Sequence, residues 1–267
     1  MRNILAIARK ELTLYFTTPW AWLVLTAMAF LGSFFFLGAL STFKQVQDLA
    51  QAFGWAKAPP EWAPFKNLTD GVVMQLWGVQ IVVTILAGPI LSMGLFSDEY
   101  RRKTFELLMT TPVRASEIVL GKYVAGVTMV VTTLSITLVY PLILVAFGSS
   151  QSGSVLEWST VLLGYGAVLL LGATSVALCM FISSLTESQV VAVFVGFAVM
   201  LLWLVLGSVT RSLEEPIRSA VTYISIDSQL QNMLKGMLDP KPLVFFGSAI
   251  AFFLLLTHRA VEAKRWA

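Results

Sequence analysis

The residues of this chain with enough chemical character to act on something crowd into one stretch, Ser97-Asp98-Glu99-Tyr100-Arg101-Arg102-Lys103-Thr104-Phe105-Glu106-Leu107-Leu108-Met109-Thr110-Thr111-Pro112-Val113-Arg114. Nothing in it is a bond-making set. The chain has no Gly-x-x-x-x-Gly-Lys-Ser/Thr loop to cradle nucleotide phosphates, and no His-Glu-x-x-His. His258 is its one histidine, which excludes a His-rich metal site. Acidic residues avoid the middle of every apolar run, so the usual groups of a proton relay or an ion-coupled carrier are missing. Glu157 and Glu187 fall at the ends of such runs and read as interfacial. Cys179, the single cysteine, can form no intrachain disulfide and reads as a small buried hydrophobe. The chemistry left to the 97–114 stretch is contact: a short helix over 104–110, with Phe105, Leu108 and Met109 close together and charge around them, ended by Pro112. Such a segment suits a groove on a soluble partner. An ordinary basic loop between two membrane spans is the competing reading.

The elements that hold this stretch are read from hydropathy. The 267 residues are 57% hydrophobic and 12% charged, with a mean hydropathy of +0.80. A soluble domain is about 45–50% apolar and about 25% charged, so lipid is the expected solvent. The net charge of +3 is too small for a nucleic-acid footprint. Uncharged intervals run over 12–43, 71–97, 123–156, 158–186, 188–210 and 242–257. About 20 apolar residues cross a hydrocarbon core of about 30 Å. The intervals predict spans near 20–41, 72–96, 118–147, 158–182, 188–210 and 242–258, with kinks at Pro89 and Pro141. Helices are expected rather than strands, because an open sheet leaves backbone groups unpaired in lipid. The expectation is one all-α transmembrane unit over 1–267.

Lys and Arg orient it. With both termini inside, eleven of them face the cytoplasm and seven face out, on longer loops. Trp20, Trp22, Trp77 and Trp158 are expected as interfacial anchors. Residues 1–18 place Ile4, Leu5, Ala8, Leu12, Tyr15 and Phe16 on one helical face, an amphipathic helix on the cytoplasmic leaflet that ends at Thr18-Pro19. Ser116 can cap the third span, with Glu117 in its first turn. The loop 42–71 reads as a connector or a small external cap. Farther on, Asp227 or Ser228 can cap a helix carrying Leu230, Met233, Leu234, Met237 and Leu238. Leu213, Ile217, Ala220 and Val221 form a second such face before it. This external segment over 211–241 reads equally as a gate or as a hairpin that closes the fold.

The pattern Glu99-x-x-x-Lys103-Thr104-Phe105-Glu106-Leu107-Leu108-Met109-Thr110-Thr111-Pro112-Val113-x-x-x-Glu117-Ile118-Val119-x-Gly121-Lys122 resembles the corresponding segment of ABC-2 type transporter permeases. The opening Arg9-Lys10-Glu11-Leu12-x-x-Tyr15-Phe16-x-x-Pro19 is similar to the branch of gliding-motility and copper-maturation permeases. Lys103 stands where that family often has Gly, so the coupling helix is expected to begin slightly earlier here.

The resemblance implies an ABC-2 (type V exporter-like) architecture with six spans, in a bacterial cytoplasmic membrane. It implies a permease half that pairs with a second permease, homo- or heterodimeric, and with two copies of a separate cytoplasmic ATPase. ATP and Mg would be bound by that ATPase and no cofactor by this chain, which would be non-catalytic. Within a cytoplasmic coupling segment over 97–117, Glu99, Arg101, Phe105, Glu106, Leu108, Met109, Pro112, Val113 and Arg114 would form the ATPase contact, and the N-terminal helix would touch the ATPase too. Lipid is an expected partner, some members of this branch use periplasmic or other accessory proteins, and nucleic acid is not expected. Gly32, Gly38, Gly78, Gly88, Gly94, Gly196 and Gly207 permit close helix approach, within the chain or across a dimer through spans one, two and five. Two readings of other classes stay open: a membrane-anchored assembly scaffold that recruits cytoplasmic factors, and an ion-coupled secondary carrier.

Overall fold

The computed structural model describes residues 2–55, 59–105, 113–148, 156–210 and 214–266. Among them there is no strand; the backbone is helical nearly throughout, as a chain solvated by lipid must be. In chain order the helices are α1 (Arg2–Thr17), α2 (Pro19–Phe53), α3 (Met74–Ser92), α4 (Gly94–Arg101), α5 (Ala115–Thr137), α6 (Val139–Phe147), α7 (Trp158–Leu185), α8 (Gln189–Val209), α9 (Ile217–Ile224), α10 (Ile226–Leu234) and α11 (Pro240–Trp266), with a short 3₁₀ helix at Pro60–Lys66 and one π-type turn at Thr69–Val73. Six helical stretches are long and apolar enough to cross a membrane: Ala21–Phe53, Thr69–Arg101, Ala115–Phe147, Trp158–Leu185, Gln189–Val209 and Pro240–Lys264.

The fourth span, α7, is the axis of the bundle. Most of its length is buried, and α3, α5, α8, α10 and α11 all pack on it. The fifth and sixth spans bury little and turn Phe194, Leu202, Phe252 and Leu255 outward, as lipid-facing helices do. Cys179 lies buried in the core between α7 and α8, in the role expected of it.

Several boundaries differ from the sequence expectation. The first span does not end near 41 but continues to Phe53, because Ala39, Val46 and Ala50 extend one buried face while Lys44 and Asp48 fall outside it. Gln47 Nε2 donates to the Phe65 carbonyl at 3.2 Å, tying down part of what read as a loop. The third span begins at Ala115, and Ser116 does not cap it. Glu117 folds back instead, its carboxylate accepting from the Arg114 N–H at 3.1 Å. That span breaks at Leu138, since Pro141 has no N–H for the Thr137 carbonyl and its ring crowds that oxygen. The helix runs unbroken through Pro89 and is interrupted at Met93. Trp77 is not an exposed anchor; it is buried against Tyr165, ring centroids 4.6 Å apart.

At the end of the bundle opposite α1, the helix bearing Leu230, Met233 and Leu234 stops at Leu234. Gly236 takes a left-handed φ of +79°, and the Met237 N–H turns back to the Asn232 carbonyl at 2.9 Å, a glycine-closed C-terminus. Leu230 and Met233 are therefore buried against the bundle and Leu234 partly so, while Met237 and Leu238 leave that face and stand exposed. Ser225, rather than Asp227 or Ser228, occupies the N-cap position. Of the preceding face, Leu213 lies outside the described residues, and Ile217 is exposed on α9.

Candidate functional site: a buried charge ring joining α1, α4 and α5

The site is built where three elements meet at the α1 end of the bundle. Helix α1 lies across the start of α5, brought close by Gly121. A Cβ there would stand 2.8 Å from the Ile7 Cβ and 3.0 Å from the Ile4 carbonyl oxygen, so only glycine lets the two helices approach this far. The inward face of α1 is Ile4, Ile7, Ala8, Glu11, Leu12 and Tyr15. Leu5 and Phe16, expected on that face, lie exposed on its flank, and Phe16 meets the Trp22 ring edge-on at 5.9 Å.

Within this junction four side chains close a ring of alternating charge. Lys122 Nζ lies 2.9 Å from Glu11 Oε1 and 2.9 Å from Glu99 Oε1. Lys10 Nζ lies 3.2 Å from the same Glu11 oxygen and 3.0 Å from the same Glu99 oxygen. Lys122 is 1% exposed, and its ammonium also sits 5.2 Å above the Phe96 ring centroid. A lone ammonium could not be held there, because burial strongly disfavours an unpaired charge. Two carboxylates make it tolerable, and Lys10, open to solvent, balances the second of them. Burial works against the Lys10 charge, but Glu11 and Glu99 outweigh it and hold that ammonium above its ordinary pKa. Glu99 Oε2 is buried and has no hydrogen-bond partner among the described residues.

The ring is braced on both sides. Tyr15 donates its hydroxyl to the Leu91 carbonyl at 2.5 Å; burial first, then the Glu11 charge, push that phenol well above its usual range, so it stays a donor. Asn3 Nδ2 reaches both Glu117 oxygens at 3.2 Å. From α7, Ser183 Oγ accepts from the Phe96 and Ser97 N–H groups at 3.2 and 3.1 Å and donates to the Met93 carbonyl at 2.8 Å, holding the α3–α4 interruption.

The residues singled out in the 99–114 stretch separate into groups. Glu99 turns inward to the ring. Phe105 also turns inward. It is 6% exposed and packs edge-on against Tyr100 at 4.7 Å, in a cluster with Phe96, Ile118 and Val261. Val113 is half-buried beside that cluster. Arg101 and Arg114 are exposed, with Arg101 paired to Asp98 at 2.8 Å. Glu106, Leu108, Met109 and Pro112 lie outside the described residues, as does most of the helix expected over 104–110.

Lys103 does not start a helix earlier; it ends one. Helix α4 stops at Arg101, and Lys103 adopts φ +55°, its N–H turning back to Tyr100 O at 3.1 Å. A side chain in this left-handed conformation costs about 1–2 kcal/mol, partly offset by the greater chain entropy that glycine loses on folding. The glycine of the resembling family fits this position for a backbone reason. Lys103→Gly should therefore stabilise the protein by about 0.5–1 kcal/mol, read as a higher midpoint in detergent thermal unfolding.

Sequence reasoning counted Lys122 and Lys10 only among the cytoplasmic positive charges, and missed Glu11 as a site residue. The signal available was that Glu11, Glu99 and Lys122 all fall inside the two resemblance patterns while lying on three separate segments.

No curated protein matches the chain. A family model for ABC-2 family transporter proteins matches residues 5–240, nearly the whole chain, covering the first five spans up to the start of α11 together with every member of the charge ring. The chain therefore belongs to the ABC-2 family transporter proteins and is a multi-pass membrane permease component of an ABC transporter.

Proposed function

We propose that this permease is the non-catalytic half of a transporter driven by a separate ATPase, and that the 102–114 segment is where the drive arrives. The observation that carries this reading is the charge ring. It binds α1 to the two helices that enter and leave the segment, through four ion pairs of 2.9–3.2 Å. A push on the segment cannot move α4 without moving α1 and α5. Two ATPase copies, binding ATP and Mg themselves, would press on two such segments, one in each permease half. The basic residues gathered at this end, Arg9, Arg101, Arg102, Arg114 and Arg259 among them, fit a cytoplasmic face with both termini inside, in a bacterial inner membrane. The second half would dock along spans one and two, where Gly38 and Gly78 face open space, whereas Gly32, Gly88, Gly196 and Gly207 are taken up by packing inside the chain.

The contact itself falls to Leu108, Met109, Arg101 and Arg114, with Phe105 as the inward anchor. Leu108→Asp in the full chain should reduce co-purification with its cognate ABC ATPase at least about tenfold, as loss of a buried apolar anchor does, with insertion and thermal midpoint unchanged. Undiminished ATPase recovery would remove the segment from the coupling role.

A further inference from the structure

At the end of the bundle opposite α1, a polar cleft of about 540 Å³ lies between α9, α10 and the first turn of α11. Sites for small molecules hold about 300–1,000 Å³. Arg218, Thr222, Tyr223 and Asn232 on its walls are exposed, so it opens to the surface. Its charges divide into one already used and three left over. Asp239 is used: Oδ1 accepts from the Lys241 N–H at 3.0 Å and Oδ2 from Asn232 Nδ2 at 3.2 Å. Glu215, Arg218 and Lys241 line the same cleft, and none of their side chains makes an ion pair among the described residues. Two amides are half used. Gln229 Nε2 donates to the Tyr223 carbonyl at 2.6 Å and Asn232 Nδ2 to Asp239, which leaves the oxygen of each amide to accept.

The groups left over are two cations and, against them, one carboxylate and two neutral acceptors. Their complement is a ligand that carries an anion and, a short way along, a cation with N–H donors. A primary ammonium has three such donors. A quaternary ammonium has none and takes a cage of aromatic rings, whereas Tyr223 is the one aromatic residue among the described lining. Position says what presents such a ligand. Helices α9 and α10 fill the connection between the span ending at Val209 and the span beginning at Pro240, so the cleft lies at the membrane surface, where lipid headgroups are. Next to its lining residues in the chain, Ile217, Leu238 and Leu243 are exposed apolar side chains, a surface for acyl chains. We propose that this cleft binds the phosphoethanolamine headgroup of a phospholipid, with Arg218 and Lys241 on the phosphate and Glu215, Gln229 and Asn232 on the ammonium.

The test uses the purified full chain in detergent, with the thermal midpoint as readout and dioleoyl phospholipids as probes. The phosphatidylethanolamine should raise the midpoint at about tenfold lower concentration than the phosphatidylcholine, whose ammonium has no N–H, or the phosphatidylglycerol, which has no ammonium. Glu215→Gln should bring the ethanolamine lipid down to the level of the choline lipid. Arg218→Gln should weaken both by a similar factor, because both carry the phosphate. Glycerophosphoethanolamine, the same headgroup without acyl chains, should protect little at the same concentration. Equal protection by the ethanolamine and choline lipids, stronger protection by the glycerol lipid, or an ethanolamine preference that survives Glu215→Gln overturns the proposal. Equal protection by glycerophosphoethanolamine also overturns it, by assigning the cleft to a soluble phosphoethanolamine ester rather than a lipid.

Discussion

Lys122→Met should be among the most damaging single substitutions in this chain. It removes the buried ammonium that bridges Glu11 and Glu99 and leaves two carboxylates facing each other with only Lys10 between them. Breaking a buried ion pair from one side costs about 3–5 kcal/mol, because the remaining charge is stranded. The expected readout is a marked fall in the thermal midpoint of the detergent-purified protein, with α1 becoming sensitive to protease. Adding Glu99→Gln to Lys122→Met removes the stranded charge and should recover a good part of the loss. A Lys122→Met protein as stable as the wild type, or a double variant no better than the single, would mean that the ring does not hold these helices together.

Phe105→Asp should damage the fold for a different reason, and the comparison with Leu108→Asp separates architecture from partner binding. Phe105 fills a cluster with Tyr100, Phe96, Ile118 and Val261. Truncating a buried aromatic costs about 3–5 kcal/mol, and burying a carboxylate in its place adds to that. The variant should lose stability before any partner is added, whereas Phe105→Leu, which retains most of the apolar volume, should lose far less. If Phe105→Asp keeps the wild-type midpoint yet no longer recovers the ATPase, Phe105 points outward to the partner and its placement inside this cluster is wrong.

These two substitutions also mark the boundary between local and distant information in the sequence. A reader of the 99–114 stretch sees an apolar and charged segment and assigns all of it to a partner. Phe105 and Glu99 have the side chains a contact surface needs, and nothing within the segment says that they face inward. The direction is set by α1 and α11, which arrive from opposite ends of the chain: Lys10 pairs with Glu99, Glu11 shares Lys122 with it, and Val261 helps enclose Phe105. The same holds for Lys122, which local composition marks only as one more cytoplasmic lysine.

The sequence by itself determined the solvent, the number of crossings and the family pattern. Long uncharged intervals can be satisfied only by helices in lipid, and that constraint acts residue by residue along the chain. Single residues with strong backbone preferences acted locally too: Pro141 breaks the third span and Gly236 closes α10. Tertiary structure decided which polar groups are spent inside. The first span runs on to Phe53 because its C-terminal part finds a surface to pack against, and Trp77 is buried because α7 passes beside it. Charge pairing and close packing depend on which segments become neighbours in space, and hydropathy along a chain carries no record of that.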